Sequence, residues 1–191
     1  MGLSIYYSGR LRNPDLINEI ITEASDIAEG HHWNITELPS APAIPVQGII
    51  IQPENCDPLW LTFHANGQLC NPILYSFLLE KEDPKAIEEA EQVLVTKTQY
   101  AGPETHMAVI NFFRYLNEKY FSDFELNDDS KYWETNDAQL CRKRFGNGDR
   151  VIDMLDMAIA NMDPDERDEL HRKLKEMMNE EGYADPGNIS G

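Results

Sequence analysis

Basic residues are scarce in this chain. Its 191 residues include 16 Lys and Arg against 34 Asp and Glu, which gives a formal net charge of −18. The excess is not confined to a tail, because residues 1–121 hold 16 acidic and 7 basic residues and residues 122–191 hold 18 and 9. A negative field of this kind repels nucleic acid and anionic membrane surfaces and attracts basic proteins. We therefore expect no nucleic-acid or membrane partner. A basic protein is one candidate partner, and an acidic surface without a specific partner is the alternative.

Cysteine is scarce as well. Cys56, Cys70 and Cys141 are odd in number and widely spaced, which does not make a disulfide framework. The N-terminal residues do not resemble a signal peptide, and no apolar run approaches the length of a membrane span. The sequence therefore predicts a reduced, cytoplasmic, soluble protein.

Motifs of known chemistry are missing. The chain has no Gly-x-Ser-x-Gly elbow and no Walker phosphate loop, and no His is tied by sequence to Cys70 or Cys141. None of the potential metal ligands has the Cys-x-x-Cys or His-x-x-x-His spacing of a metal site; these residues are His31, His32, His64, His106, Cys56 and Cys70. We predict no metal and no cofactor, and binding is favoured over catalysis.

The strongest structural signal spans residues 93–121. A β-branched run predicts a strand over residues 93–99, and Pro103 stands where a first helical residue is expected. Apolar residues then recur at helical spacing and predict a buried amphipathic helix; they are Val109, Phe112, Phe113, Leu116 and Tyr120.

Other elements follow along the chain. Strands are predicted at residues 3–7, 34–38, 47–52 and 124–126, and a helix capped by Asn13 is predicted to end at Gly30. Asn66-Gly67 predicts a hairpin over residues 59–70 with a two-residue type I′ turn. Asp137 lies in a predicted helix start. Two further helices with almost no loop between them follow Gly148.

Together these elements predict an α+β fold: a mainly antiparallel mixed sheet with two helices on one face, plus a C-terminal αα-hairpin. The predicted domains are an α+β core over residues 1–146, an appended helical hairpin over 147–181 and a flexible tail over 182–191.

The turn between the predicted strand and helix is the first candidate site. Backbone N–H groups at a helix N-terminus favour an anion. A small-anion or enzyme site there would use Lys97, Gln99, Gly102, Glu104, Thr105 and His106. Alternatively, Glu104 complements the helix dipole, Thr105 helps to cap the turn and Lys97 extends into water.

Aromatic residues near acidic ones form the second candidate site, a protein interface containing Trp60, His64, Tyr132 and Trp133. Alternatively, Trp60 packs under a helix and Trp133 fixes its loop. The basic run Arg142–Arg144 is interpreted as internal salt bridging. The preferred function is protein binding, for instance as an inhibitor or immunity-type protein of a basic partner, and the alternative is an enzyme or small-anion-binding protein at Lys97–His106.

Overall fold

The computed structural model describes residues 3–39, 46–80 and 93–146, together with Asp163, Arg172 and Lys173. Backbone contacts divide the chain into Met1–Gly146 and Asn147–Gly191, and the description below concerns the first unit. Two features predicted above, the helical hairpin at 147–181 and the tail at 182–191, lie outside the described residues, apart from Asp163, Arg172 and Lys173. The sequence also predicts a loop from the prolines at 39–45 and a short acidic helical turn from Pro84 to Glu91, and both lie outside the described residues except for Pro39.

The described residues form strands β1 (Ser4–Leu11), β2 (Asn34–Leu38), β3 (Val46–Gln52), β4 (Leu59–His64), β5 (Leu94–Lys97) and β6 (Phe121–Asp128). The helices are α1 (Ile17–Gly30), α2 (Pro72–Glu80), α3 (Gly102–Tyr120) and α4 (Tyr132–Thr135), and residues 138–146 form the helical stretch α5. A 3-10 turn over Pro14–Leu16 precedes α1, and the Asn13 side chain accepts a hydrogen bond from the backbone N–H of Asp15.

The strands lie in two antiparallel sheets. Sheet A has the order β5-β1-β6, and sheet B has the order β2-β3-β4. The strand β2 lies at its predicted position, whereas β1 and β6 are longer than predicted. Their pairing runs from Ile5 opposite Asp128 to Leu11 opposite Phe121. Hydrogen bonds to the partner strand therefore extend β1 and β6 beyond the residues that the sequence predicts as strand.

The predicted hairpin is confirmed, but its predicted turn type is wrong. Three residues connect His64 to Gln68, and the N–H of Gly67 donates to the carbonyl of His64 at 2.8 Å. Gly67 has a φ of +84°, whereas Asn66 is not among the described residues of positive φ. A type I′ turn needs positive φ at both central residues, whereas a three-residue loop commonly ends in one left-handed glycine.

The returning strand of this hairpin joins the two sheets. Cys70 N–H donates to the Thr62 carbonyl of sheet B at 3.0 Å. On the other side, Leu69 N–H donates to the carbonyl of Gly9 in sheet A at 2.9 Å. Both sheets therefore share one backbone hydrogen-bond network.

Both long helices bury their apolar sides in one hydrophobic core together with residues of the two sheets. The helix α1 contributes Ile17, Ile20, Ala24 and Ala28, and α3 contributes all the apolar residues predicted for it. The α+β class is confirmed. The helix α3 also begins within one residue of its predicted start at Pro103.

Candidate functional site

The predicted anion-binding turn consists of β5, residues 98–101 and the first turn of α3. Lys97 is exposed, whereas Gln99, Gly102 and Thr105 are half-buried and His106 is fully buried. The structure therefore does not bring the side chains of Lys97 and His106 to the same surface.

Glu104, the remaining residue of the six predicted for this turn, is exposed and forms a salt bridge with Arg142. Its carboxylate accepts a hydrogen bond from Arg142 Nε at 2.8 Å, and this bond lowers the pKa of Glu104. Arg144 donates to the backbone carbonyl of Asp129 at 2.7 Å. Of the basic run, Arg142 thus forms a salt bridge within the chain, whereas Arg144 donates to a backbone carbonyl.

His106 lies at the centre of a buried polar network, which we call the His106 network and which also contains Thr98, Asp128 and Ser130. His106 Nδ1 lies 2.6 Å from Thr98 Oγ1, and Nε2 lies 3.0 Å from Asp128 Oδ1 and 2.8 Å from Ser130 Oγ. All four residues have no exposed surface. The network joins the end of β5, the first turn of α3 and the end of β6.

The Asp128 carboxylate accepts hydrogen bonds on both oxygens. Oδ1 accepts from the Ser130 N–H at 2.7 Å as well as from His106, and Oδ2 accepts from Ser130 Oγ at 2.8 Å and from the Trp133 N–H at 3.0 Å. Burial alone raises the pKa of Asp128, but hydrogen bonding and electrostatic attraction from His106, with the Trp133 and Ser130 hydrogen bonds, lower it to about 2. Asp128 is therefore an ionised carboxylate inside the core.

A hydroxyl, an imidazole and a carboxylate in this order are also the parts of a nucleophilic triad. A catalytic hydroxyl must reach its substrate, but neither Thr98 nor Ser130 has exposed surface. Phe145 covers the imidazole of His106 further, with ring centroids 5.2 Å apart. The described geometry thus gives the His106 network a structural role, since a fully hydrogen-bonded buried network rigidifies the elements that it joins.

Tyr132 and Trp133 are held against α3 by Arg114. The guanidinium of Arg114 donates to the backbone carbonyls of Tyr132 at 2.6 Å and Trp133 at 2.9 Å. It also lies over both rings, 4.9 Å and 5.6 Å from their centroids. Tyr132 is only 8% exposed, whereas Trp133 is half-buried and contacts Phe124 edge-on at 6.0 Å. Of these two predicted interface residues, Trp133 has the more accessible surface.

The other two predicted interface residues lie on β4. Trp60 is half-buried and packs against the hydrophobic core. His64 is half-buried beside Tyr75, with ring centroids 5.4 Å apart. The structure therefore places the four predicted interface residues in two separate pairs along the chain.

An exposed apolar surface, which sequence reasoning missed, lies on sheet A. Tyr6 of β1 pairs with Val95 of β5 and with Asn127 of β6, so the three side chains share one face. We call it the outer face of sheet A. Tyr6 is 39% exposed, Val95 46% and the adjacent Val93 63%. Because successive side chains of a strand point to opposite faces, the sequence indicates that Val93 and Val95 share one face, but it does not indicate that this face is uncovered.

A groove of about 670 Å³ opens beside this outer face. Its described lining contains no Lys or Arg, and Glu125 is its one ionisable acidic group. The groove lies between apolar and aromatic side chains that include Tyr6, Val93, Phe124, Leu126 and Trp133. Exposed aromatic surface and a carboxylate thus lie together at this groove.

The basic residues are unevenly distributed along the chain. Residues 13–80 contain no Lys or Arg, and their described part forms α1, sheet B and α2. Seven carboxylates of this segment are exposed: Asp15, Glu19, Asp26, Glu29, Glu37, Glu54 and Asp57. Among the described residues of this segment, only Glu23 belongs to a salt bridge, and its carboxylate lies 2.6 Å from Lys119 Nζ. We call these seven residues the acidic surface.

All three cysteines of the chain are buried free thiols. Burial raises the pKa of Cys56 and of Cys70 to about 12, and it also raises the pKa of Cys141. Because the thiolate is the reactive form, we expect Cys56 and Cys70 to react with iodoacetamide at neutral pH roughly a thousandfold more slowly in the folded protein than in the unfolded one. Mass spectrometry after timed alkylation, with and without guanidinium chloride, measures the difference. Rapid labelling of any one cysteine in the folded protein would contradict this expectation.

The described residues contain no group of three or more His, Cys, Asp or Glu that could hold a metal ion. None of the helices in the described ranges is both long and apolar enough to cross a membrane.

In comparisons with protein-family models, curated proteins and solved structures, nothing matches this chain.

Proposed function

We propose that this protein is an acidic binding protein for a basic protein partner, and an inhibitor or immunity-type protein is the most concrete form of this function. The observation that carries the proposal is the acidic surface. Its carboxylates are exposed, and residues 13–80 supply no basic side chain to neutralise them.

Unneutralised charge of one sign has a physical consequence for association. A concentrated negative field steers a positively charged protein toward it and raises the association rate by roughly tenfold or more. The basic residues of the described chain instead lie at Arg10, Arg12 and from Lys97 onward, and several are already paired internally. Residues 13–80 thus offer carboxylates with no basic neighbour in the same segment, which supports this segment as the one that meets a basic partner.

The alternative, an enzyme or small-anion-binding protein at Lys97–His106, has less support. His106 is enclosed in the core, and Glu104 already pairs with Arg142. A phosphate or carboxylate ligand would then have Lys97 and the first backbone N–H groups of α3 as its available contacts.

The test removes charge from the acidic surface without changing side-chain shape. The triple variant Asp26→Asn, Glu29→Gln and Glu37→Gln changes three exposed residues with no described side-chain hydrogen bond. Basic proteins are first captured from the native lysate at physiological salt by the immobilised wild-type protein. We expect these proteins to associate with the triple variant about tenfold more slowly than with the wild-type protein. Surface plasmon resonance measures both association rates.

The matched control is the triple variant Glu118→Gln, Asp123→Asn and Glu134→Gln. It makes the same change in net charge outside residues 13–80, and all three residues are exposed. Equal slowing in both triple variants would indicate attraction by overall charge and contradict a role of the acidic surface. Failure to capture any basic protein would contradict the proposed function itself.

A further inference from the structure

We propose that the groove on sheet A receives a lysine or arginine side chain of the basic partner. This inference rests on the proposed function, and it assigns the anchor point of the interface. The acidic surface would attract the partner at long range, whereas the groove would hold one side chain in a defined position.

The composition of the groove suits a cationic side chain. Aromatic rings carry negative charge on their faces and attract cations, and Tyr6 lines the groove together with Glu125. Trp133 also lines the groove, but the guanidinium of Arg114 already lies over its ring. Glu125 is exposed and belongs to no described salt bridge. Apolar walls with one unpaired carboxylate fit a side chain that is apolar along its stem and cationic at its tip.

The side chains that line the groove are preorganised. The Trp133 N–H donates to the buried carboxylate of Asp128 at 3.0 Å, and its ring lies between Arg114 and Phe124. Tyr6 stands on the central strand of sheet A. Little side-chain freedom is then lost on binding, which favours affinity.

The occupant of the groove belongs to a partner protein. A second copy of this chain is disfavoured, because two chains of formal charge −18 repel each other. The strand β6 also ends sheet A and carries exposed Asp123 and Glu125, which oppose pairing of two β6 strands. The volume of about 670 Å³ lies in the range of small-ligand sites, so the groove has room for one Lys or Arg side chain.

The experiment measures binding of an oligoarginine peptide by isothermal titration calorimetry at physiological salt, with an oligoglutamine peptide of the same length as the negative probe. For the variant Glu125→Gln we expect the Kd for oligoarginine to rise about tenfold. The matched control Asp123→Asn removes a carboxylate from the same strand, two residues away and in register with Arg10. It should change the Kd by less than about twofold.

A second variant tests the ring. Tyr6→Leu keeps an apolar side chain and removes the aromatic face, so we expect the Kd for oligoarginine to rise about threefold. In the wild-type protein, amide chemical shifts should change at Tyr6, Glu125 and Trp133 on titration. The thermal midpoints of all variants serve as the folding control, since each substitution is at an exposed side chain.

Equal effects of Glu125→Gln and Asp123→Asn, or no binding of oligoarginine by the wild-type protein, would overturn the groove assignment. The assignment would also be overturned if sedimentation equilibrium showed a dimer of this chain that Glu125→Gln makes more stable. The occupant of the groove would then be a second copy of the chain. None of these results decides whether the acidic surface captures a basic protein. The proposed function therefore stands or falls on its own experiment.

Discussion

Replacing Asp128 by Asn is expected to lower the free energy of unfolding by about 3–5 kcal/mol. Both carboxylate oxygens face donors: His106 Nε2 and the Ser130 N–H on one side, and the Ser130 hydroxyl and the Trp133 N–H on the other. Whichever way an Asn amide is turned, its NH₂ group points at donors. The variant thus loses the negative charge beside His106 and leaves buried N–H groups without an acceptor. Urea denaturation followed by circular dichroism measures the loss.

The pH dependence of this effect has a definite sign. The pKa of Asp128 is about 2 in the folded protein and about 3.9 in an unfolded chain. The ionised carboxylate therefore contributes its stability above about pH 4, and this contribution is lost as the pH falls toward 2. We expect the difference in unfolding free energy between the wild-type protein and Asp128→Asn to narrow over this interval.

The control is Asp123→Asn on the same strand. Asp123 is exposed, so the same chemical change should alter the unfolding free energy by less than about 0.5 kcal/mol. If Asp128→Asn were as mild as this control, the His106 network would not hold β5, α3 and β6 together as the geometry indicates.

The sequence predicted the elements of the fold well where local chemistry decides them. Asn13 caps the turn before α1, and Asp137 accepts hydrogen bonds from the N–H groups of Gln139 and Leu140 at the start of α5. Such caps act over two or three residues, so a single sequence displays them. The lengths of β1 and β6 were underestimated, because a strand continues wherever its partner offers hydrogen bonds.

The candidate site was less predictable, because its contacts join distant residues. Thr98, Asp128 and Ser130 surround His106 from positions up to 24 residues away along the chain. Asp128 follows Asn127 and precedes Asp129, a pattern that predicts only the end of a strand. Arg114 likewise sits among helical residues without any sequence sign that it binds the Tyr132–Trp133 backbone. Burial of a polar group and its partners follows from tertiary packing, which periodicity does not specify.

Gly48 is a second residue whose importance follows from packing alone. It lies in β3, the central strand of sheet B, between Leu38 of β2 and Thr62 of β4. A Cβ atom added there would lie 2.1 Å from the Leu61 carbonyl oxygen and 2.6 Å from the Thr62 Cα. Both atoms belong to the backbone, so relief requires the strands to move apart. The φ of Gly48 is +156°, a backbone angle that residues with a side chain rarely adopt. An isolated glycine in a strand often marks such a close approach of two backbones.

We therefore expect Gly48→Ala to lower the free energy of unfolding by about 3–5 kcal/mol, measured by urea denaturation. Two other glycines separate the causes. Gly102 has a φ of +82° but open space around its added Cβ, so Gly102→Ala tests backbone strain alone and should cost about 1 kcal/mol. Gly30 has open space and no such φ, so Gly30→Ala at the end of α1 should be neutral or slightly stabilising. If Gly48→Ala cost no more than Gly102→Ala, the close approach of β3 and β4 would not be what requires glycine at position 48.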